Sequence, residues 1–126
     1  MGKRTKAIED YLEAILILEK DNSPVKSVDI ASFLKVSKPA VARTMKELLA
    51  LNYIQKVSYG EITLSTTGKA LANRTYKKHK LLKKFLLEIG VSENIAEHDC
   101  CLIEHVISNE TVRQIEKFLD GEKHEN

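Results

Sequence analysis

Tryptophan is missing from this sequence, proline occurs twice and glycine five times in 126 residues. So few helix breakers exclude a collagen-like or loop-dominated chain and leave long stretches free to form helices. Aromatic residues make up only 6%, so any core is chiefly aliphatic. No run of about 18 apolar residues occurs, which excludes a transmembrane helix and a membrane partner of that kind. The start, Met1-Gly2-Lys3-Arg4-Thr5-Lys6, is basic, but an acidic amphipathic segment follows it. A signal peptide needs an unbroken apolar region there, so the expected location is cytoplasmic. The only cysteines are the adjacent Cys100 and Cys101. Neighbouring residues join only through a strained ring, so core thiols or a metal ligand are expected rather than a structural disulfide.

Hydrophobic residues make up 43% of the chain and charged residues of mixed sign 30%, which argues against disorder. The length suits one compact domain, or a small domain with a helical extension. A net charge of +2 is too small to mark a nucleic-acid binder, but its distribution says more. Lys3, Arg4, Lys6, Lys38, Arg43, Lys46 and Lys56 lie in the N-terminal half, and Lys77, Lys78, Lys80, Lys83 and Lys84 follow. Glu93, Glu97, Asp99 and Glu104 cluster later. A basic end and an acidic end suggest two jobs, although many of these charges suit plain solvated helix faces.

Residues 7–20 carry Ile8, Tyr11, Leu12, Ile15 and Leu18 at helical spacing, which predicts an amphipathic helix ended by Asn22-Ser23-Pro24. A short helix is expected over about 27–35, with Val36 filling a tight turn after it. Ser37 is a good N-cap and Pro39 fits the first turn of a third helix. That helix should run to about Ala50, burying Val41, Met45, Leu48 and Leu49. Residues 53–57 and 61–64 read as two strands around Ser58-Tyr59-Gly60, a hairpin. Thr66 or Thr67 should cap a long helix through Ile89, with Gly90 ending it. Ser92 starts a fifth helix and Ser108 a sixth, which stops at Gly121; the tail 122–126 is polar.

Two short helices, a tight turn and a longer helix form the helix-turn-helix pattern, and the hairpin after it reads as a wing. Ala31 lets the two helices cross closely, and Val36 would plug the gap. The third helix exposes Ser37, Lys38, Ala40, Arg43, Thr44 and Glu47 near its start, where a recognition helix meets base edges. Arg43 suits a guanine, while Lys38 and Lys46 suit phosphates, and Lys56 and Tyr59 on the wing could touch the backbone. The plainer reading is a protein-binding winged helix, against which the placement of Lys and Arg weighs.

In the C-terminal half, Cys101, Glu104 and His105 stand at i, i+3 and i+4, one face of a helix. Thiolate, carboxylate and imidazole converging this way suit a transition metal. Asp10 and Glu13 share a face of the first helix, and His79 stands alone on the fourth. The six could close around one or two ions. Taken singly each has a plainer role: a surface Glu-His pair, a small core thiol, acids near a helix N-terminus.

With those residues in view, the chain resembles the family of diphtheria-toxin repressors and manganese-transport regulators. The resemblance lies in Ile8-Glu9-Asp10-Tyr11-Leu12-Glu13-Ala14-Ile15, Val28-Asp29-Ile30-Ala31 and Val36-Ser37-Lys38-Pro39-Ala40-Val41. It continues in Leu64-Ser65-Thr66-Thr67-Gly68, His79-Lys80-Leu81-Leu82 and Cys101-Leu102-Ile103-Glu104-His105-Val106-Ile107-Ser108. It implies that Asp10, Glu13, His79, Cys101, Glu104 and His105 are metal ligands, and that Ser37, Pro39 and Arg43 meet operator DNA. It also implies a dimer interface in the sixth helix and parts of the fourth and fifth, and control of metal-uptake genes. Manganese-type members carry a carboxylate where Cys101 stands; iron-type members have cysteine there but methionine where Asp10 stands. Lys83 replaces an acid, and Glu97 a histidine, of an ancillary site in some relatives. The SH3-like C-terminal domain of iron-type members is expected to be absent, and the dimerisation region to be slightly shorter than in manganese-type members.

The expected fold is mainly α: a winged helix-turn-helix over 1–73 and a helical dimerisation and metal-binding domain over 74–126. The expected protein is no enzyme but a homodimeric repressor, binding a palindromic double-stranded operator when loaded with Fe²⁺ or Mn²⁺. Its rivals are a metal-independent winged-helix module, and a hydrolase using Cys101 as nucleophile and His105 as base. The second lacks an oxyanion site and a cleft.

Overall fold

The computed structural model describes residues 2–21, 24–56 and 60–124, and the side chains of 5–21, 24–56 and 60–121. Asn22, Ser23, Tyr59 with its neighbours Val57 and Ser58, and the side chains of Lys3 and Arg4 lie outside the described residues. The chain forms two compact units, Met1–Arg74 and Thr75–Asn126.

The first unit holds α1 (Gly2–Asp21), α2 (Ser27–Leu34), α3 (Lys38–Ala50), β1 (Ile54–Lys56), β2 (Ile62–Leu64) and the start of α4 (Thr66–Glu88). The helix expected over 7–20 thus begins at Gly2, because the residues before Ile8 carry no breaker beyond that terminal glycine. Of the expected stripe it buries Tyr11, Leu12 and Ile15, with Ala14 and Leu16 beside them, while Ile8 and Leu18 are half-buried. It packs on α2 and β2, and the Glu19 carboxylate accepts the Leu64 N–H at 3.2 Å. The strands pair antiparallel with Ile54 opposite Leu64, Gln55 opposite Thr63 and Lys56 opposite Ile62. Val25 adds a single bridge to Ile62. Gly60, on the described side of the turn, has φ +75°, where a side chain is costly.

The turn between α2 and α3 is built differently from the sequence expectation. Val36, expected to plug the gap, is 37% exposed. Lys35 instead takes the left-handed conformation at φ 58°, and the Val36 N–H closes onto the Ala31 carbonyl at 3.1 Å. Asn52 does the same after α3 at φ 62°, with Tyr53 N–H donating to the Leu48 carbonyl at 2.9 Å. Ser65, one residue before the expected Thr66 or Thr67, caps α4: its Oγ accepts the Gly68 N–H at 3.0 Å. The same hydroxyl donates to the Asn52 carbonyl at 2.6 Å, and the Ser65 N–H donates to the Tyr53 carbonyl at 2.9 Å.

The second unit contains the rest of α4, α5 (Glu93–Ile103) and α6 (Asn109–His124). Its core includes Leu82, Ala96, Cys100 and Leu119. Phe85 and Phe118 meet edge to face, with ring centroids 6.1 Å apart. Gly90, at φ +101°, follows α4 as expected. Ser108 caps α6 by accepting the Thr111 N–H at 3.1 Å. Gly121 does not stop α6, which runs on to His124; one glycine costs a helix only about 1 kcal/mol.

Candidate metal centre and nucleic-acid interface

The N-terminus of α3 is set by Ser37, whose Oγ accepts the Ala40 N–H at 3.2 Å. Val41, Met45 and Leu48 turn into the core. Ser37, Lys38, Pro39, Arg43 and Lys46 are exposed and Ala40 is half-buried. Thr44, expected on the exposed face, is buried at 4%, because it stands three residues after Val41 and one before Met45, inside the apolar arc. Lys56 is exposed at the end of β1. Tyr59 lies outside the described residues.

On α1, the Asp10 carboxylate accepts from Lys6 Nζ at 2.7 Å. Glu13, half-buried, follows on the same face.

In the second unit, α5 ends at Ile103, and its C-cap Glu104 keeps helical backbone angles with its N–H on the Cys100 carbonyl at 3.0 Å. Glu104 and His105 sit in the turn beyond it, with the His105 N–H reaching the Leu102 carbonyl at 3.5 Å and the Val106 N–H the Ile103 carbonyl at 3.0 Å. The Glu104 side chain is 1% exposed; its Oε1 lies 2.8 Å from His79 Nδ1 and its Oε2 3.3 Å from His105 Nε2. A buried carboxylate thus stands between two imidazoles.

The other ring nitrogen, His79 Nε2, is 3.2 Å from Glu97 Oε2. Cys100 Sγ lies 3.8 Å from His79 Nε2, and Cys101 Sγ lies 3.5 Å from Glu97 Oε2. Cys101 is therefore grouped with His79, Glu97 and Cys100, donor atoms of all four lying within 4.8 Å of one another. Glu97 and Cys100 were not among the expected ligands. The signal that would have found them is Glu97-x-x-Cys100-Cys101, an i, i+3, i+4 triad lying wholly inside α5.

Lys83 Nζ holds the outer oxygen of this cluster, Glu97 Oε1, at 3.1 Å and approaches Glu93 Oε1 at 3.7 Å. The hydrogen bond to Glu97 raises the Lys83 pKa. Burial pushes the Glu97 carboxyl up, but the Lys83 hydrogen bond and the His79 charge outweigh that and hold it below the usual range. Burial and the Glu97 and Glu104 charges push Cys100 up to about 11. Burial, with Cys100 and Glu97 beside it, pushes Cys101 up to about 12. A nucleophilic cysteine needs the opposite shift.

The family model for the iron dependent repressor, N-terminal DNA binding domain, matches residues 3–62. The model for its metal binding and dimerisation domain matches residues 65–125. The chain belongs to the iron-dependent repressor family.

Among relatives in this family is a protein of Methanocaldococcus jannaschii described as an uncharacterized HTH-type transcriptional regulator. It is 35% identical over 92% of this chain and 94% of its own length. The transcriptional regulator MntR of Salmonella typhimurium is 37% identical over 86% of this chain and 69% of its own. The solved manganese regulator SloR superposes with a TM-score of 0.81 at 30% identity, covering 90% of this chain and 53% of that one. IdeR of T. acidophilum does so with a TM-score of 0.72 at 30% identity, over 87% and 53%. The chain thus spans about half the length of these solved structures. Family membership makes it a DNA-binding, metal-dependent transcriptional regulator of winged-helix fold. None of its described helices is long and apolar enough to cross a membrane.

Proposed function

We propose that the protein is a homodimeric repressor that grips a palindromic operator when loaded with Fe²⁺ or Mn²⁺. The observation that carries this is the Glu104 carboxylate, 1% exposed and flanked by His79 and His105. Such a buried charge is costly unless cations complete its surroundings. Carboxylate with imidazole is a donor set suited to first-row divalent ions. His79, Cys101, Glu104 and His105 from the second unit, with Asp10 and Glu13 from α1, would hold the ion. When bound, it would supply a positive centre for these carboxylate, thiolate and imidazole donors. Cys101 is the softest donor, Asp10 and Glu13 are the hardest, and Fe²⁺ accepts both, which favours iron.

The residues of the chain supply the rest. Asp10 gives up Lys6 to serve as a ligand. The α3 face of Ser37, Lys38, Pro39, Ala40, Arg43 and Lys46 enters the major groove, with Lys56 and Tyr59 of the wing on the backbone. Two such faces in a dimer read half-sites about 34 Å apart. Without metal the competent spacing is rare and apparent affinity falls by that fraction. An operator gel shift, titrated anaerobically with Fe²⁺, Mn²⁺ and Zn²⁺ and repeated with chelator, tests the reading. Equal retardation in chelator would leave a metal-independent winged helix.

Arg43→Ala is expected to weaken operator binding by about 1–3 kcal/mol and to relax specificity at one base pair. Lys38→Ala should weaken every sequence alike and flatten the salt dependence. Uniform weakening by Arg43→Ala would move Arg43 to the phosphates.

The α6 stripe Val112, Ile115, Phe118 and Leu119 supports the dimer in part. Leu119 is buried, and Phe118 meets Phe85 edge to face yet stays 53% exposed; Ile95 at 52% and Leu102 at 50% on α5 are similarly exposed. Sedimentation of the metal-free protein at micromolar concentration is expected to show a dimer. A clean monomer would confine dimerisation to the metal-loaded form.

A further inference from the structure

The cluster of His79, Glu97, Cys100 and Cys101 has a feature that the repressor reading leaves unused: it carries a complete donor set within the second unit. A tetrahedral Zn²⁺ with bonds of about 2.0–2.3 Å has donor–donor edges of about 3.3–3.8 Å. Here His79 Nε2 to Glu97 Oε2 is 3.2 Å, Glu97 Oε2 to Cys101 Sγ is 3.5 Å, and Cys100 Sγ to His79 Nε2 is 3.8 Å. All four donors lie within 4.8 Å of one another, and the two sulfurs also lie 3.6 and 3.9 Å from His79 Nδ1, so a modest turn of the ring and thiols would close them on one ion.

The groups behind the donors are also in place. Metal-ligating histidines usually give their other N–H to a carboxylate, which fixes tautomer and ring orientation. Glu104 Oε1, 2.8 Å from His79 Nδ1, stands where that partner is needed and leaves Nε2 for an ion. Lys83, on Glu97 Oε1 at 3.1 Å, leaves Oε2 turned to the cluster. Cys100 is fully buried, while the Glu97 side chain is 47% exposed, so an ion can arrive from the Glu97 side.

The geometry points to a thiophilic-cation site, built from His79 Nε2, Glu97 Oε2, Cys100 Sγ and Cys101 Sγ, that takes Zn²⁺ or Co²⁺. Each thiol exchanges its S–H bond for a metal–sulfur bond, so two thiol protons pass to solvent per ion bound. Resting on the repressor reading, the site has a consequence for selectivity. Zn²⁺ held here is satisfied by residues 75–126 and occupies His79 and Cys101. It does not recruit Asp10 or Glu13, so it binds without activating and competes with Mn²⁺ and Fe²⁺.

Co²⁺ added to the full-length, reduced protein under anaerobic conditions reads the site directly. The expected spectrum has intense visible d–d bands of tetrahedral cobalt and a near-ultraviolet thiolate-to-cobalt band of two-thiolate strength. Zn²⁺ should erase both. Cys100→Ser and Cys101→Ser should each remove roughly half of the charge-transfer band. Glu97→Gln, which spares both thiols, should keep that band and weaken Zn²⁺ binding by about tenfold or more. Circular dichroism checks that each variant folds, and Glu97→Gln answers if a serine variant does not. Weak octahedral bands, or a charge-transfer band untouched by Cys100→Ser, would overturn the site. In operator gel shifts, saturating Zn²⁺ is expected to give no retardation and to raise the Mn²⁺ needed for it. Activation by Zn²⁺ equal to that by Mn²⁺ would overturn its uncoupling from DNA. If neither Mn²⁺ nor Fe²⁺ gave retardation, the repressor reading would fail while the cobalt spectrum still reported the site.

Discussion

Gly68→Ala is expected to destabilise the first unit by about 3 kcal/mol or more, beyond the usual range for adding a methyl group to a packed core. A Cβ at position 68 would lie 1.9 Å from the Tyr53 carbonyl oxygen and 2.8 Å from its carbon. Both are backbone atoms, so no rotamer change relieves the clash. The Ser65 N–H already holds that carbonyl at 2.9 Å, and Ser65 Oγ holds the Gly68 N–H. Moving α4 away therefore breaks its own cap and the start of the wing together. Thermal denaturation followed by circular dichroism should show a fall of roughly 10 °C or more in the transition of this unit. A fall under about 2 °C would mean that the close approach relaxes freely.

The glycine was legible in the sequence only as part of Leu64-Ser65-Thr66-Thr67-Gly68, because the carbonyl it must admit lies 15 residues back in the chain. Local features were read well. The apolar stripe of α1, Ser37 as a cap, Gly90 after α4 and the hairpin all follow from periodicity and turn chemistry that act within a few residues. What periodicity could not give was where a hydroxyl or a helix end is claimed by something distant. Ser65 outranks Thr66 and Thr67 as cap because its hydroxyl also reaches Asn52. Val36 was expected to fill the turn because it is apolar, and the left-handed backbone at Lys35 that shapes the turn carried no sequence signal. In the second unit, the i, i+3, i+4 spacing of Cys101, Glu104 and His105 runs over the C-cap of α5. The same rule applied one turn earlier gives Glu97, Cys100 and Cys101.

Glu104→Gln is expected to reduce Mn²⁺- or Fe²⁺-activated operator binding by more than about 100-fold, the upper end of what losing an outer hydrogen-bond partner alone costs. The change keeps the shape of the side chain and removes the charge that the two imidazoles flank. In the native protein, metal at about 100 times its dissociation constant should add about 2.7 kcal/mol of stability, seen as a rise in Tm. In Glu104→Gln most of that rise should vanish. An undiminished rise with normal operator binding would make Glu104 only a structural partner of His79 and His105.

The unwinding of α5 at Ile103 also bears on how long different amides stay closed. Ala96 donates to the Ser92 carbonyl at 2.8 Å inside a regular helix, whereas His105 and Val106 are held by i to i−3 bonds, the His105 one 3.5 Å long. Short, tight turns of this kind open locally at low free energy, while a packed helix waits for a larger opening. In deuterated buffer the 105–106 amides should therefore exchange well before those of 96–100. An ion drawn to Glu104 and His105 would slow the first group far more than the second, so the residues that sense metal would be the ones with the most freedom to lose.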